Sequence, residues 1–175
     1  SLEATKSIFL VTNGQEPEMI QRLADEDALP TQLYLSTNAS DYDSFLKINR
    51  PKYDDSWQRW NKTLEMLADL DTRTVLRVTL IKDWNDSEKM MSGYRSIFEK
   101  SNVNFIEIKS YMHIGRSTNR LEYENMVEMD DVRKFSEQIR KKSDRFEVMD
   151  ESEVSRIVVL QNKKRFTERY LSAYA

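Results

Sequence analysis

Short apolar runs alternate along this chain with segments in which apolar residues recur at every third or fourth position. The runs predict strands over 7–12, 32–37, 73–82, 104–114 and 156–161. The three-and-four spacing predicts helices near 17–26, over 41–48 and 54–70, around Met90–Phe98, near 130–142, and around Phe166 and Tyr170. Strands separated by helices form right-handed β–α–β units, so the pattern predicts a parallel sheet in a single domain spanning residues 1–175.

Three of the predicted strands have one apolar face and one face that carries polar groups. In 75–81, Leu76 and Val78 alternate with Arg77 and Thr79. Parallel strands that are buried on both faces are normally apolar throughout, so these polar faces require a ligand cavity or a network of ion pairs. We therefore expect an α/β fold whose parallel strands curl into a partial (β/α) barrel.

Binding groups of such folds lie at the carboxyl ends of the strands. The predicted strand ends are Thr12–Gly14, Ser36–Asn38, Thr79–Asn85 and Lys109–Ser117. Two alternatives stay open here. Thr12–Gly14 can bind a ligand or can be an ordinary strand-to-helix turn. Arg77 can pair either with a ligand carboxylate or with Glu107 of the next strand.

Composition excludes several kinds of site. The chain has no cysteine and one histidine, which excludes disulfides, thiolate metal sites and histidine-pair metal sites within it. Its net charge of -3 does not indicate nucleic-acid binding, and we interpret the basic clusters 140–142 and 163–165 as solvated helix faces. No apolar stretch is long enough to span a membrane and no secretion leader is visible, so we expect a cytoplasmic protein.

The strand ends carry motifs that resemble a known family. The motifs are LVTNG, TQLYLSTNAS, KINRP, RTVLRVTLIKDWN and FIEIKSYMHIGRS, spread from about Ser7 to about Gln161. This set resembles the radical S-adenosylmethionine enzymes that make the tricyclic wyosine base of phenylalanine tRNA in wybutosine biosynthesis. The last motif is the most specific of the five.

The resemblance implies a radical S-adenosylmethionine partial barrel of six parallel strands, of which this chain supplies the third onward. The N-terminal strands, with the CxxxCxxC loop that holds a 4Fe-4S cluster, are missing, because no cysteine is present. It implies that the intact enzyme cleaves S-adenosylmethionine to an adenosyl radical and condenses pyruvate with 1-methylguanosine in tRNA to give 4-demethylwyosine. We expect a C-terminal fragment of this kind to be inactive alone.

The resemblance also implies roles for individual residues. It implies S-adenosylmethionine binding by Thr12, Asn13, Gly14, Ser36, Asn38, Arg77, Thr79 and Asn85. It implies contacts with pyruvate, the guanine base or tRNA by Asn49, Arg50, Lys109, Tyr111, His113 and Ser117. No residue of the chain is assigned a catalytic or metal-binding role.

Two other functions remain open, namely a radical enzyme with a different substrate and a non-enzymatic α/β interaction domain. Loss of the first two barrel strands would leave 8–12 as an apolar sheet edge, which is a template for pairing with another chain. We therefore expect either self-association through this edge or a local cover by the tail of the chain.

Overall fold

The computed structural model of the protein describes residues 5–171. Its strands are β1 Phe9–Thr12, β2 Gln32–Ser36, β3 Arg73–Leu80, β4 Phe105–Ser110, β5 Phe146–Ser152 and β6 Ile157–Asn162. Its α-helices are α1 Pro17–Asp25, α2 Tyr42–Asn49, α3 Ser56–Met66, α4 Glu88–Ser101 and α5 Met129–Lys142. The predicted alternation of strands and helices is confirmed from β1 to α5. Within residues 5–171, no helix is both long and apolar enough to cross a membrane.

The strands form one mixed sheet in the order β1-β2-β3-β4-β6-β5. The first four are parallel, as predicted, but β6 runs antiparallel to β4, and β5 runs antiparallel to β6. The prediction of an all-parallel sheet was therefore wrong for the last two strands. β5 was missed because its sequence FEVMDES carries the acidic residues typical of a solvated edge strand rather than an apolar run.

The predicted tail helix is wrong. A single 3-10 turn covers Lys163–Arg165, and residues 166–171 after it are irregular. The carbonyl groups of this segment accept hydrogen bonds from side chains of the sheet instead of from a helix. Gln161 Nε2 donates to the Thr167 carbonyl at 2.7 Å, and the Arg73 guanidinium donates to the carbonyls of residues 168–170. The described part of the tail therefore lies at β3 and β6 and does not cover β1.

The helices form one layer on one face of the sheet, since α1 contacts α3, α3 contacts α4, and α4 contacts α5. The apolar faces predicted for the strands point into this layer. The fully buried core includes Leu33, Leu35, Leu76, Val78, Ile106 and Ile108 from the sheet and Trp60, Leu64, Tyr94 and Phe98 from the helices. Their burial stabilises the fold through the removal of apolar surface from water. The opposite face of the sheet, here called the open face, carries the predicted polar residues.

Gly14 forms the turn from β1 to α1, and both its backbone and its surroundings require glycine. Its φ is +74°, and a Cβ atom there would lie 2.7 Å from Leu35 Cδ1 and 3.1 Å from Trp60 Cδ1. Gly115 has a similar φ of +64°, but a Cβ atom there would meet nothing within 4 Å. A side chain at Gly115 would meet only the cost of a left-handed backbone, whereas a side chain at Gly14 would add the cost of a steric clash.

We expect Gly14→Ala to lower the free energy of unfolding by about 3 kcal/mol, since it adds an overpacked core to a strained backbone. Gly115→Ala serves as the matched control and should cost only about 1 kcal/mol. Chemical denaturation of the two variants measures both values. Equal losses would contradict the packing argument.

β1 lies at the edge of the sheet, and no described strand pairs with its outer side. Phe9 and Val11 are 55% and 50% exposed there. We expect concentration-dependent self-association through this edge, and we expect Val11→Lys to abolish it because a charge blunts an exposed strand. Sedimentation velocity measures the association. Val154→Lys is the control, because Val154 is fully exposed outside the strands, and a strictly monomeric parent protein would contradict the prediction.

Candidate ligand-binding groove at the carboxyl ends of the strands

An ion pair crosses the middle of the open face. Arg77 of β3 and Glu107 of β4 are register partners, with Arg77 Nε 2.7 Å from Glu107 Oε1 and Nη2 donating to Oε2 at 3.2 Å. The guanidinium also lies 4.3 Å from the ring centroid of Tyr34 on β2. Burial raises the pKa of the Tyr34 hydroxyl, and the Glu107 carboxylate shifts it in the same direction. The pair with Glu107, one of the two interpretations of Arg77, is present in the structure, and a contact with a ligand carboxylate stays a prediction.

A cavity of about 500 Å³, here called the first cavity, opens at the carboxyl ends of β1 and β2. It brings together predicted residues from three separate segments, namely Asn13, Ser36, Asn38, Asn49 and Arg50. Asn13 and Arg50, the most distant of the five, are 37 positions apart in the sequence. The parallel pairing of β1 with β2 brings the ends of these two strands together. The first cavity therefore joins residues predicted for the cofactor to residues predicted for the substrate.

One wall of the first cavity is formed by α2, chiefly by its C-terminal end. Asp41 and Ser44 form a capping box that starts the helix. Arg50 ends it in a left-handed conformation, with φ of 46°, directly before Pro51. Neither Arg50 nor Lys52 lies within ion-pair distance of a carboxylate in the described part of the chain. Both cations are therefore available to an anionic ligand.

A second cavity of about 340 Å³ lies at the carboxyl ends of β3 and β4. It is lined by the predicted residues Asn38, Thr79, Lys109, Tyr111 and Ser117. Because Asn38 lines both cavities, the two adjoin and form one groove along the edge of the sheet. The prediction that binding groups converge at the carboxyl ends of the strands matches this arrangement.

The junction of the two cavities is fixed by Asn85. Its side-chain amide donates to the Asn38 carbonyl at 3.0 Å and to the Thr79 carbonyl at 2.8 Å, while its Oδ1 accepts from the Ile81 N–H at 2.7 Å. Asn38 Oδ1 in turn accepts from the Thr79 N–H at 3.2 Å. Asn85 is fully buried, and its own N–H donates to the Ile81 carbonyl at 3.2 Å. Its side chain and N–H are therefore engaged in the fold, and the predicted cofactor contact stays a prediction.

Within the Thr12–Asn13–Gly14 turn, only Asn13 lines a cavity. Thr12 is paired with Leu35, which places it on the helix-covered face, and its Oγ1 accepts from the Gly14 N–H at 3.0 Å. The Gly14 carbonyl accepts from Thr63 Oγ1 at 2.9 Å. Thr12 and Gly14 thus build the turn that presents Asn13, and their predicted contact with S-adenosylmethionine stays a prediction.

His113 lies beside the second cavity and is not among the residues that line it. Its Nδ1 lies 3.2 Å from the Tyr111 hydroxyl, and its ring meets Tyr123 edge to face at 6.2 Å. β4 ends at Ser110, so the predicted extension of this strand to 114 was wrong, and Tyr111 and His113 stand in the following loop. Across residues 5–171, no three acidic or histidine side chains are grouped as a metal site would require.

Sequence reasoning missed several residues that line the groove, including the acidic Glu16 of the first cavity. Gln15, Lys52 and Tyr53 line the first cavity, and Trp84 and Arg120 line the second. Gln15 directly follows the TNG turn, and Lys52 and Tyr53 directly follow the KINRP motif. Extending each motif by a few residues would have found most of them.

We expect Arg77→Met to destabilise the protein by about 2–3 kcal/mol, because it leaves the mostly buried Glu107 carboxylate without a partner. The double variant Arg77→Met/Glu107→Gln should recover much of that loss. A double-mutant cycle in urea measures the coupling. Losses that simply add would show that the two side chains act independently.

Comparisons with known proteins agree with the motifs. A family described as "Wyosine base formation" matches residues 100–162. The S-adenosyl-L-methionine-dependent tRNA 4-demethylwyosine synthase of Pyrococcus abyssi is 41% identical over 154 residues, which are 87% of this chain and 44% of the relative. The synthase of Methanocaldococcus jannaschii is 36% identical over 90% of this chain and 47% of its own length.

Solved structures give the same result. A structure of TYW1 with a lysine–pyruvate adduct bound superposes with a TM-score of 0.78 at 35% identity, over 91% of this chain and 48% of that one. A crystal structure of archaeal TYW1 gives 0.71 at 31% identity, over 91% and 47%. The chain thus spans somewhat less than half the length of these archaeal relatives and solved structures. By sequence and by fold, this chain is a homologue of the C-terminal part of the S-adenosyl-L-methionine-dependent tRNA 4-demethylwyosine synthases.

Proposed function

We propose that this chain forms part of the cofactor pocket and the substrate-side wall of a radical S-adenosylmethionine enzyme that makes 4-demethylwyosine. The intact enzyme would condense pyruvate with 1-methylguanosine in phenylalanine tRNA. The observation that carries the proposal is the convergence, in one groove, of residues that the family motifs assign to cofactor and to substrate. The relatives named as 4-demethylwyosine synthases support it.

The proposal also includes a more specific fold, a partial barrel. β1 to β4 would be strands three to six of a partial barrel, and the open face of the sheet would line its interior. The unpaired outer side of β1 is where the preceding strand would add. The polar groups on the open face, including the Arg77–Glu107 pair, are consistent with an interior that holds a polar ligand.

The groove has donors and acceptors that suit S-adenosylmethionine. Asn13, Ser36 and Asn38 line a volume of about 500 Å³, which falls in the range of cofactor sites. Thr79 lies next to Asn38 through the hydrogen bond to its N–H. These residues would hold the cofactor, which supplies hydrogen-abstraction chemistry when bound. The chain has no cysteine, so 4Fe-4S clusters would be ligated by residues outside it.

The substrate side is formed by the second cavity and by the turn after α2. Lys109 lines the second cavity with Tyr111 and Ser117, and His113 supports the Tyr111 hydroxyl from outside. Asn49 and Arg50 stand on the rim of the first cavity. The unpaired Arg50 would contact tRNA phosphate, because phosphate contacts come chiefly from lysine and arginine side chains.

Activity of the gene product that contains this chain tests the proposal. With pyruvate, S-adenosylmethionine, a reductant and phenylalanine tRNA bearing 1-methylguanosine, we expect 4-demethylwyosine to form, as measured by mass spectrometry of the tRNA nucleosides. A modified product of another molecule would favour a different radical enzyme. No product from any tRNA, together with no binding of S-adenosylmethionine, would favour the interaction domain.

We also expect Arg50→Gln to weaken tRNA binding and to reduce the slope of log affinity against log salt by about 1. Lys163→Gln is the control, because Lys163 is an exposed cation that lines neither cavity. The prediction that 163–165 is a solvated helix face was wrong, since these residues form a 3-10 turn and the Arg165 guanidinium donates to backbone carbonyls. Fluorescence anisotropy at several salt concentrations measures both slopes. An unchanged slope in Arg50→Gln would remove Arg50 from the RNA interface.

A further inference from the structure

The second cavity contains cations and no carboxylate. Its charged lining residues are Lys109 and Arg120, and neither lies within 4.0 Å of an acidic side chain in the part of the chain that the structure describes. This is unusual here, because many arginines of the chain are paired with carboxylates. Those in ion pairs are Arg22, Arg59, Arg77, Arg95, Arg133, Arg140, Arg156 and Arg169.

Arg120 is held in place but not satisfied. Its Nη2 donates to the carbonyls of Lys47 and Ile48 at 3.1 Å each, near the C-terminal end of α2. Its Nε is buried and has no hydrogen-bond partner among the described residues. A buried donor of a charged group without an acceptor is costly. The cavity that Arg120 lines is the adjoining space from which an acceptor can come.

The remaining walls limit the kind of anion that fits. Ile81, Trp84, Met112 and Ile114 make much of the lining apolar, and the volume is about 340 Å³. The Trp84 ring already faces Lys47, whose Nζ is 4.5 Å from its centroid. Such a space suits a compact anion with a short apolar portion. A guanidinium and an ammonium on an apolar wall are a common arrangement for binding a carboxylate.

We propose that the second cavity binds a small carboxylate, with Arg120 and Lys109 as its cationic partners. The proposal rests on the proposed function in one respect, since pyruvate would then be the carboxylate. It adds Arg120, which the motifs did not single out. Arg120 also joins the binding of this anion to the end of α2, which leads into the Arg50 turn of the first cavity.

Titration of the full chain with ¹³C-methyl pyruvate, followed by NMR, tests the site. We expect saturable binding of pyruvate and none of its neutral isostere pyruvamide. Arg120→Gln keeps an amide donor for the α2 carbonyls but removes the charge, and it should weaken pyruvate binding by about tenfold or more. Lys109→Met should do the same without touching α2.

Arg116→Gln is the matched control, because Arg116 stands on the same loop, is exposed and does not line either cavity. Its affinity for pyruvate should equal that of the parent. Thermal unfolding of each variant separates lost binding from lost folding, and Lys109→Met carries the test if Arg120→Gln does not fold. Unchanged affinity in both cavity variants, or equal binding of pyruvamide, would overturn the proposal.

Titration with inorganic phosphate tests whether the cations of the second cavity bind an RNA phosphate instead of a carboxylate. Saturable binding of phosphate at this site with no binding of pyruvate would assign the cations to an RNA phosphate and overturn the proposal. Failure of the proposed 4-demethylwyosine synthesis can be told apart from failure of the carboxylate site. If pyruvate binds through Arg120 but the gene product makes no 4-demethylwyosine, the carboxylate site stands. If it makes 4-demethylwyosine with a pyruvate KM that Arg120→Gln leaves unchanged, the site fails.

Discussion

The geometry of the groove depends on one buried amide. Asn85 binds the carbonyls of Asn38 and Thr79 and the N–H of Ile81, so it ties the end of β2 to the end of β3. Asn38 is the residue that both cavities share. Because a buried amide that loses a partner pays the full cost of desolvation, this connection is strongly specified. Two separate loops thereby become one continuous binding surface.

The sequence predicted what depends on local pattern. Alternation in β2 and β3 correctly separated Leu33 and Leu76, which are buried, from Arg77 and Thr79 on the open face. Strand ends predicted where the groove would lie, since parallel pairing brings the ends of β1 to β4 to one edge. The motifs identified the family, and the comparisons confirmed it.

What the sequence could not predict depends on contacts between distant segments. The antiparallel β5–β6 hairpin is set by pairing across the sheet, and its acidic edge strand has no apolar signature. Arg120 reaches α2, more than 70 residues away, and no local spacing reveals that. The hydrogen bonds of the Asn85 side chain could not be predicted from the sequence pattern either. An asparagine after a strand can form a turn, contact a ligand or make buried hydrogen bonds to the backbone.

The position of the tail has a further consequence. Arg73 and Gln161 stand at the amino end of β3 and beside the start of β4, on the open face, and they hold residues 167–170 there. Farther along the open face, the Arg77–Glu107 pair connects β3 and β4. The open face is thus obstructed from one direction. Both cavities lie at the opposite, carboxyl end of the strands, and none of residues 163–171 lines either of them, so the described tail covers one end of the open face and leaves the groove at the other end uncovered.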